Sequence, residues 1–253
     1  MPRLLIYLIV FIEGFCSLGA EVIALRRLVP HVGSSIVVTA PTIGFFLLAL
    51  ALGYGAGARV AADYRQTVGR NFLISAALIG LGMASVTTNG IFAHLQPLPI
   101  AYLVFVGGVL CPVAWLLGQT VPILTNLMKH ARTGEASGLA LYWSTLGSFL
   151  GSLSLSLLVM QWLGVSAAVF VCALILLIGA LMLGGREPKM ALFSLSTAIL
   201  AAGLAWQQPG SVETAYADYR IGPVELAGQE NPRAFWINQS TASLVDDPIV
   251  DVE

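Results

Sequence analysis

The sequence predicts an all-α integral membrane protein of about seven transmembrane helices followed by a short extramembrane β-segment. Three observations predict it. The chain is 57% hydrophobic and only 10% charged, its apolar runs follow one another from Leu4 to Trp206, and its charges are segregated along the sequence. A soluble 253-residue globule needs far more polar surface than this composition supplies. We therefore expect lipid to surround the first two hundred residues.

Charge divides the chain into two parts, a transmembrane domain over 1–207 and an extramembrane segment over 208–253. The segment from Gln208 onward has two arginines and eight acidic residues, a net charge of −6, against +5 for the remainder. Nucleic-acid binding requires clustered Lys and Arg on one exposed surface. This pattern therefore argues against nucleic acid as a partner and indicates the lipid bilayer instead.

Individual spans follow from the rule that roughly 20 apolar residues cross the hydrocarbon. The predicted helices lie near Leu4–Leu25, Ser35–Ala58, Asn71–Ala93, Pro99–Asn126, Ser137–Met160, Leu163–Leu183 and Met190–Trp206. The seventh of these helices is the shortest.

Basic residues predict the orientation of these spans. Two of them, Arg26 and Arg27, fall in a loop on one side, and the loops and termini on the other side hold the larger group. By the positive-inside rule the N-terminus is cytoplasmic, and seven crossings place the tail in the periplasm of a bacterial inner-membrane protein. If Met190–Trp206 lies in the membrane–water interface and does not span the bilayer, the tail is cytoplasmic. The larger group is Arg3, Arg59, Arg65, Arg70, Lys129, Arg132, Arg186 and Lys189.

The fourth run is too long and too rich in proline for one straight helix. Pro112 and Pro122 each remove a backbone donor, so a kink or break is expected. Gln119 and Thr120, just before the second proline, are expected to donate to carbonyls that the proline leaves free.

Glu13 stands near the middle of the first helix, where an ionised carboxylate costs on the order of 3 kcal/mol unless it is paired or protonated. Glu21 lies toward the outer end, and Arg26 and Arg27 are not at the i+3 or i+4 spacing that pairs side chains. A partner on another helix or the headgroup region is needed. Glu13 is either a structural polar clamp between helices or a site that handles protons or cations.

Small residues recur on two helices at a spacing typical of close packing in lipid. The fifth helix carries four serines at four-residue intervals beside two glycines, and the second carries Gly53 and Gly57. Helix packing is the favoured interpretation, and a hydroxyl-lined permeation path is the alternative. The residues of the fifth helix are Ser144, Ser148, Ser152, Ser156, Gly147 and Gly151.

Cysteines and histidines predict neither a disulfide framework nor a metal site. Cys16, Cys111 and Cys172 fall inside apolar runs and are interpreted as small buried hydrophobes. His31 and His94 fall in outer loops and His130 in an inner one, so at most two can meet, and two histidines without a third ligand make a poor metal site. No cofactor is expected in this chain.

Four segments together resemble the membrane domain of membrane-bound spermidine synthase-like proteins, also described as fused major-facilitator and spermidine synthase proteins. The similarity covers about 200 residues in the family's order. Where the family usually has Asn, this chain has Ser144. The segments are Gly19–Arg26 with Gly33–Ser35 after it, Phe46–Gly53 leading to Gly57–Arg59, Leu116–Pro122, and Gly138–Gly147 ending in Gly151.

The tail extends the resemblance. Its alternating residues from Tyr219 to Ser240 are similar to the β-hairpin region that opens a spermidine synthase, where a Gln at the position of Gln239 lies near the polyamine pocket. An exposed strand residue is the other interpretation of Gln239. The resemblance implies aminopropyl transfer, polyamine biosynthesis and a Rossmann-like catalytic domain with a nucleoside site. No catalytic residue can be assigned within 208–253, so we expect that domain to be a separate chain, a continuation or lost.

Two other functions stay open. A small transporter is the first, because the charged stretch Gly57–Arg70 resembles a loop of major-facilitator proteins. The second is an accessory subunit of a larger membrane complex, which predicts contacts with other membrane subunits along the Ser144–Ser156 and Gly53–Gly57 faces.

Overall fold

The computed structural model describes residues 3–60, 62–127, 133–184, 211–213, 218–223, 233–237 and 240–245. Within them the fold is built from long apolar helices. Five helices are long and apolar enough to cross a membrane, or six if a bent pair forms one span. The predicted seventh helix, Met190–Trp206, lies outside the described residues.

Helix α1 is the centre of the bundle. It runs from Arg3 to Val32, and two-thirds of its most apolar stretch is buried against the other helices. We predicted an end near Leu25 with Arg26 and Arg27 in a loop, and this was wrong. No residue breaks the helix until Gly33, which adopts a left-handed conformation (φ 79°) and donates its N–H to the Val29 carbonyl.

The second and third spans differ in regularity. Helix α2 runs from Ile36 to Ala58, as predicted within one residue. Helix α3 starts at Tyr64, seven residues before the predicted Asn71, because Asp63 turns the chain in a left-handed conformation (φ 52°) that Asp tolerates.

The predicted single helix Asn71–Ala93 is in fact broken. Helix α3 (Tyr64–Ala77) continues as a π-helical turn, Leu78–Gly82, and the chain then bends by 64° into helix α4, Ser85–His94. The break falls at Met83 and Ala84. The helices on its two sides are long and apolar enough to cross a membrane only when they are counted as one span.

The fourth span is irregular, as the two prolines predicted. Helix α5 (Leu98–Phe105) passes through a π-helical turn, Val106–Leu110, into helix α6 (Cys111–Gly118), and helix α7 (Thr120–Leu127) follows. Gln119 separates the last two, and its carbonyl accepts from the Ile123 N–H.

The fifth and sixth spans meet at a glycine. Helix α8 (Thr133–Leu153) continues through a π-helical segment, Ser154–Met160, to the short helix α9, Gln161–Leu163. Gly164 turns the chain at φ 84°, a conformation that favours glycine. Helix α10 then runs from Val165 to Met182.

Four strands are described in the tail. They form an antiparallel sheet in the order β1-β2-β3-β4, with an irregularity in β3 between Phe235 and Trp236. The strands are β1 Ser211–Glu213, β2 Asp218–Pro223, β3 Arg233–Ile237 and β4 Ser240–Val245.

Candidate functional site

Helix α1 carries the most deeply buried acidic side chain among the described residues. Glu13 is only 1% exposed, although it lies ten residues into a 30-residue helix. Its carboxylate Oε2 accepts a hydrogen bond of 2.8 Å from the hydroxyl of Ser144 on α8. This partner is the first serine of the predicted stripe on the fifth helix.

The helices α1 and α8 approach closely because both present glycine at the crossing. A methyl group at Gly14 would overlap the carbonyl oxygen of Ser144, and one at Gly147 would overlap that of Phe11. One turn further on, a methyl group at Gly151 would overlap the Phe15 carbonyl oxygen. In lipid, where apolar area supplies no preference for a neighbouring helix, such close contact is what stabilises a helix pair.

Two of the four serines bind α1, and the other two do not. Ser148 donates to the Gly14 carbonyl at 3.2 Å, beside the Ser144 bond to Glu13. Ser152 and Ser156 donate to carbonyls of their own helix. The stripe therefore works as a packing face, as favoured from the sequence, along its first two serines.

Helix α1 also meets α10 through a pair of cysteines. Each of Cys16 and Cys172 directs its Sγ toward the other's carbonyl oxygen, at 3.6 Å in both directions. Both thiols are fully buried and free, as small buried hydrophobes are expected to be, whereas Cys111 is half-buried.

A second buried polar group joins α3 to α6. The Asn71 amide donates to the Gln119 side-chain oxygen at 3.1 Å and to the Leu116 carbonyl at 3.3 Å. Gln119 in turn donates to the Trp115 carbonyl at 3.4 Å. Its backbone lies against Gly57 of α2, so this amide pair sits where three helices meet.

The predicted role of Gln119 and Thr120 as donors to the carbonyls that proline leaves free was wrong. The Gln119 side chain donates to the Trp115 carbonyl, one turn back. The carbonyl that Pro122 leaves without its usual donor is that of Gly118, and Gln119 does not bond it. The Thr120 hydroxyl is buried without a hydrogen-bond partner among the described residues, as is that of Ser75.

Arg27 is held at the helix break. Its Nε donates to the Met83 carbonyl at 3.0 Å, and its Nη2 donates to the Ser166 hydroxyl at 2.9 Å. Arg26 and Arg27 are 7% and 5% exposed, so both guanidinium groups lie inside the bundle rather than in a loop. A small recess beside Arg27 is lined by Ser85 and Phe170, among others.

The remaining sequence candidates are dispersed. Glu21 is 6% exposed on α1, His31 stacks on Phe92 with ring centroids 4.3 Å apart, and His94 is exposed. Within the described ranges no three His, Cys, Asp or Glu residues are placed to hold a metal ion. Gln239 and His130 lie outside the described residues.

Sequence reasoning missed Asn71 and Ser166. Asn71 was taken as the start of a span, because nothing marks a polar residue at a helix boundary as buried. Its signal was the asparagine inside an extended apolar pattern once Tyr64 is recognised as the helix start.

Comparison with known proteins adds no identity: no family model, curated protein or solved structure matches the chain.

Proposed function

We propose that this chain is the membrane domain of a spermidine synthase-like protein, a helical anchor that holds an aminopropyltransferase-like catalytic domain at the inner membrane. The observation that carries the proposal is where the segments of family resemblance lie. They come from four separate stretches of sequence, and their glycines and polar residues are found at contacts between helices.

Two of these segments face one another. Gly53 and Gly57 of α2 lie against the backbones of Trp115 and Gln119, so that a methyl group at either glycine would overlap a carbonyl oxygen. Reciprocally, a methyl group at Gly118 would come within 2.8 Å of the Leu50 carbonyl oxygen. Glycine is required at both sides of this contact, because a larger residue would force the two helices apart.

Of the other two segments, one packs against α1 and the other is part of α1. The segment ending in Gly151 supplies the glycines and Ser144 that pack against Glu13 and its neighbours. The first segment, Gly19–Arg26, supplies buried residues of α1 itself, including Glu21. The four segments of resemblance therefore lie at the contacts that fix the arrangement of the helices, as we expect for the membrane domain of one family.

The same contacts bear on the accessory-subunit alternative. That interpretation expected the Gly53–Gly57 and Ser144–Ser156 faces to meet other chains. Gly53 and Gly57 meet helix α6 and Gln119, and Gly147 and Gly151 meet α1, all within this chain. We therefore retain the anchor as the proposal.

For orientation, we propose a cytoplasmic N-terminus and a periplasmic tail after seven spans. Arg3 begins α1, Arg59 follows the end of α2, and Arg65 lies in the first turn of α3. Successive helices thus bring these basic residues to one end of the bundle, the end that the positive-inside rule assigns to the cytoplasm.

The chemistry belongs to a domain that would hold a nucleoside cosubstrate and remove a proton from the attacking amine. We propose that this domain is a separate chain or a continuation of this one, and that Gln239 lies at its entrance. The helices would anchor it and present a substrate from the membrane side.

Copurification from native membranes tests this proposal. Tagged protein is solubilised in mild detergent, its partners are identified by mass spectrometry, and the eluate is assayed for aminopropyl transfer to a diamine. We expect a Rossmann-like chain or extension and measurable transfer. A matched chain without residues 208–253 should retain the helices and lose both. An eluate with no such domain and no transfer would contradict the proposal.

A further inference from the structure

Three polar side chains lie in a row along the buried face of α1. Glu13, Ser17 and Glu21 are spaced by four residues, and they are 1%, 4% and 6% exposed. Four residues rotate a helix by roughly 40° and raise it by about 6 Å, so the three side chains span a sector of about 80° and a length of about 12 Å. They form a buried polar row from the middle of the helix toward its outer end.

The three groups differ in their partners. Glu13 accepts from Ser144, but in the described part of the chain neither Ser17 nor Glu21 makes a side-chain hydrogen bond. A carboxylate in an apolar interior is costly, and a proton or a bridging water lowers that cost by neutralising or solvating it. A proton and a bridging water are the smallest occupants that can do so.

Other titratable groups lie near this row. Tyr54 of α2 lies within electrostatic range of Glu13, as does Cys16 on α1. Cys172 of α10 packs against Cys16. At the outer end, Arg27 donates to a backbone carbonyl and a serine, and Arg26 lies one residue before it.

We propose that Glu21, Ser17 and Glu13 form a proton-binding half-channel that opens at the outer end of α1 and ends at the Glu13–Ser144 pair. A proton from water binds a Glu21 carboxylate oxygen. The Ser17 hydroxyl accepts a proton through an intervening water and releases its own toward Glu13. Every transfer breaks one O–H bond and forms another, so no oxidant or co-reactant is required.

The path stops at Glu13. On the inner side, α1 presents Ile9, Val10 and Ile6, which are buried and apolar, so the row of polar side chains does not continue inward along this helix. The site therefore loads Glu13 with a proton from one side of the membrane, the arrangement that ion-coupled membrane proteins use.

Infrared difference spectroscopy on the full chain in lipid tests this inference. The carbonyl band of protonated Glu13 is assigned by its loss in Glu13→Gln, and its hydrogen–deuterium exchange is timed after a change to heavy water. Ser17→Ala and Glu21→Gln should each slow that exchange on the order of a hundredfold, the scale of a lost proton-transfer group.

Two matched variants serve as controls. Ser152→Ala removes a hydroxyl of α8 that bonds a carbonyl of its own helix, and Glu135→Gln removes an exposed carboxylate of α8; neither should slow the exchange. The inference is overturned if Glu13 exchanges at the parent's rate in Ser17→Ala and Glu21→Gln, or if Ser152→Ala slows it equally. Failure here leaves the proposed enzyme partner untouched, since copurification is measured separately.

Discussion

The crossing of α1 and α8 allows a quantitative prediction from one methyl group. In Gly147→Ala the added carbon meets backbone atoms, with the Phe11 carbonyl carbon at 3.0 Å and the Phe15 nitrogen at 3.1 Å, and it overlaps the Phe11 carbonyl oxygen. Backbone atoms cannot rotate away as the end of a flexible side chain can. The helices must therefore separate by about 0.5 Å to restore carbon contacts of about 3.5 Å, and by about 1 Å to relieve the overlap with the oxygen.

Separation by this amount has a calculable cost. Overpacking of this kind costs about 1–3 kcal/mol. The 3.2 Å bond from Ser148 to Gly14 and the 2.8 Å bond from Ser144 to Glu13 would both weaken, at about 0.6 kcal/mol each in membrane proteins. Alanine regains about 1 kcal/mol of helix propensity over glycine. We expect Gly147→Ala to unfold with a free energy about 1–3 kcal/mol lower than the parent.

Gly138→Ala on the same helix is the matched control. A methyl group there has no atom within 4 Å, so only the propensity gain of about 1 kcal/mol remains and the variant should be as stable as the parent or more so. Unfolding in mixed micelles of mild detergent and dodecyl sulfate, followed by circular dichroism, measures both. Equal stability of the two variants would refute the assignment of α1 and α8 as a glycine-mediated pair.

Three further predictions concern buried hydrogen bonds. Ser144→Ala should lower the unfolding free energy by about 1–3 kcal/mol because it leaves the Glu13 carboxyl without its donor, and the loss should shrink in a Glu13→Leu background; an undiminished loss argues against the bond. Asn71→Leu and Gln119→Leu should be less than additive, with a coupling of about 0.6 kcal/mol in a double-mutant cycle, and independent effects would exclude their contact. Arg27→Lys should destabilise the protein although charge is kept, because one ammonium cannot reproduce the forked bonds to a carbonyl and a serine; a melting temperature equal to that of the parent would contradict this.

Sequence alone predicted lipid as the medium of the chain, and it determined the existence of most helices. Hydrophobic runs of membrane length need no tertiary information, because every backbone polar group in lipid must be satisfied inside its own helix. The same reasoning located the irregular fourth span, since proline removes a donor wherever it stands. It also identified Glu13 as a residue that needs a partner.

Only the tertiary structure decided which groups meet. That Glu13 binds Ser144 rather than another hydroxyl depends on the approach of α1 and α8, which the glycines permit but do not identify as partners. Arg27 illustrates the limit more sharply: its charge suggested a loop, yet the bend between α3 and α4 exposes a carbonyl that the guanidinium reaches from within the bundle. Local pattern sets how each helix forms in lipid, whereas the partner of a buried polar group is set by contacts between segments far apart in sequence, which no local pattern records.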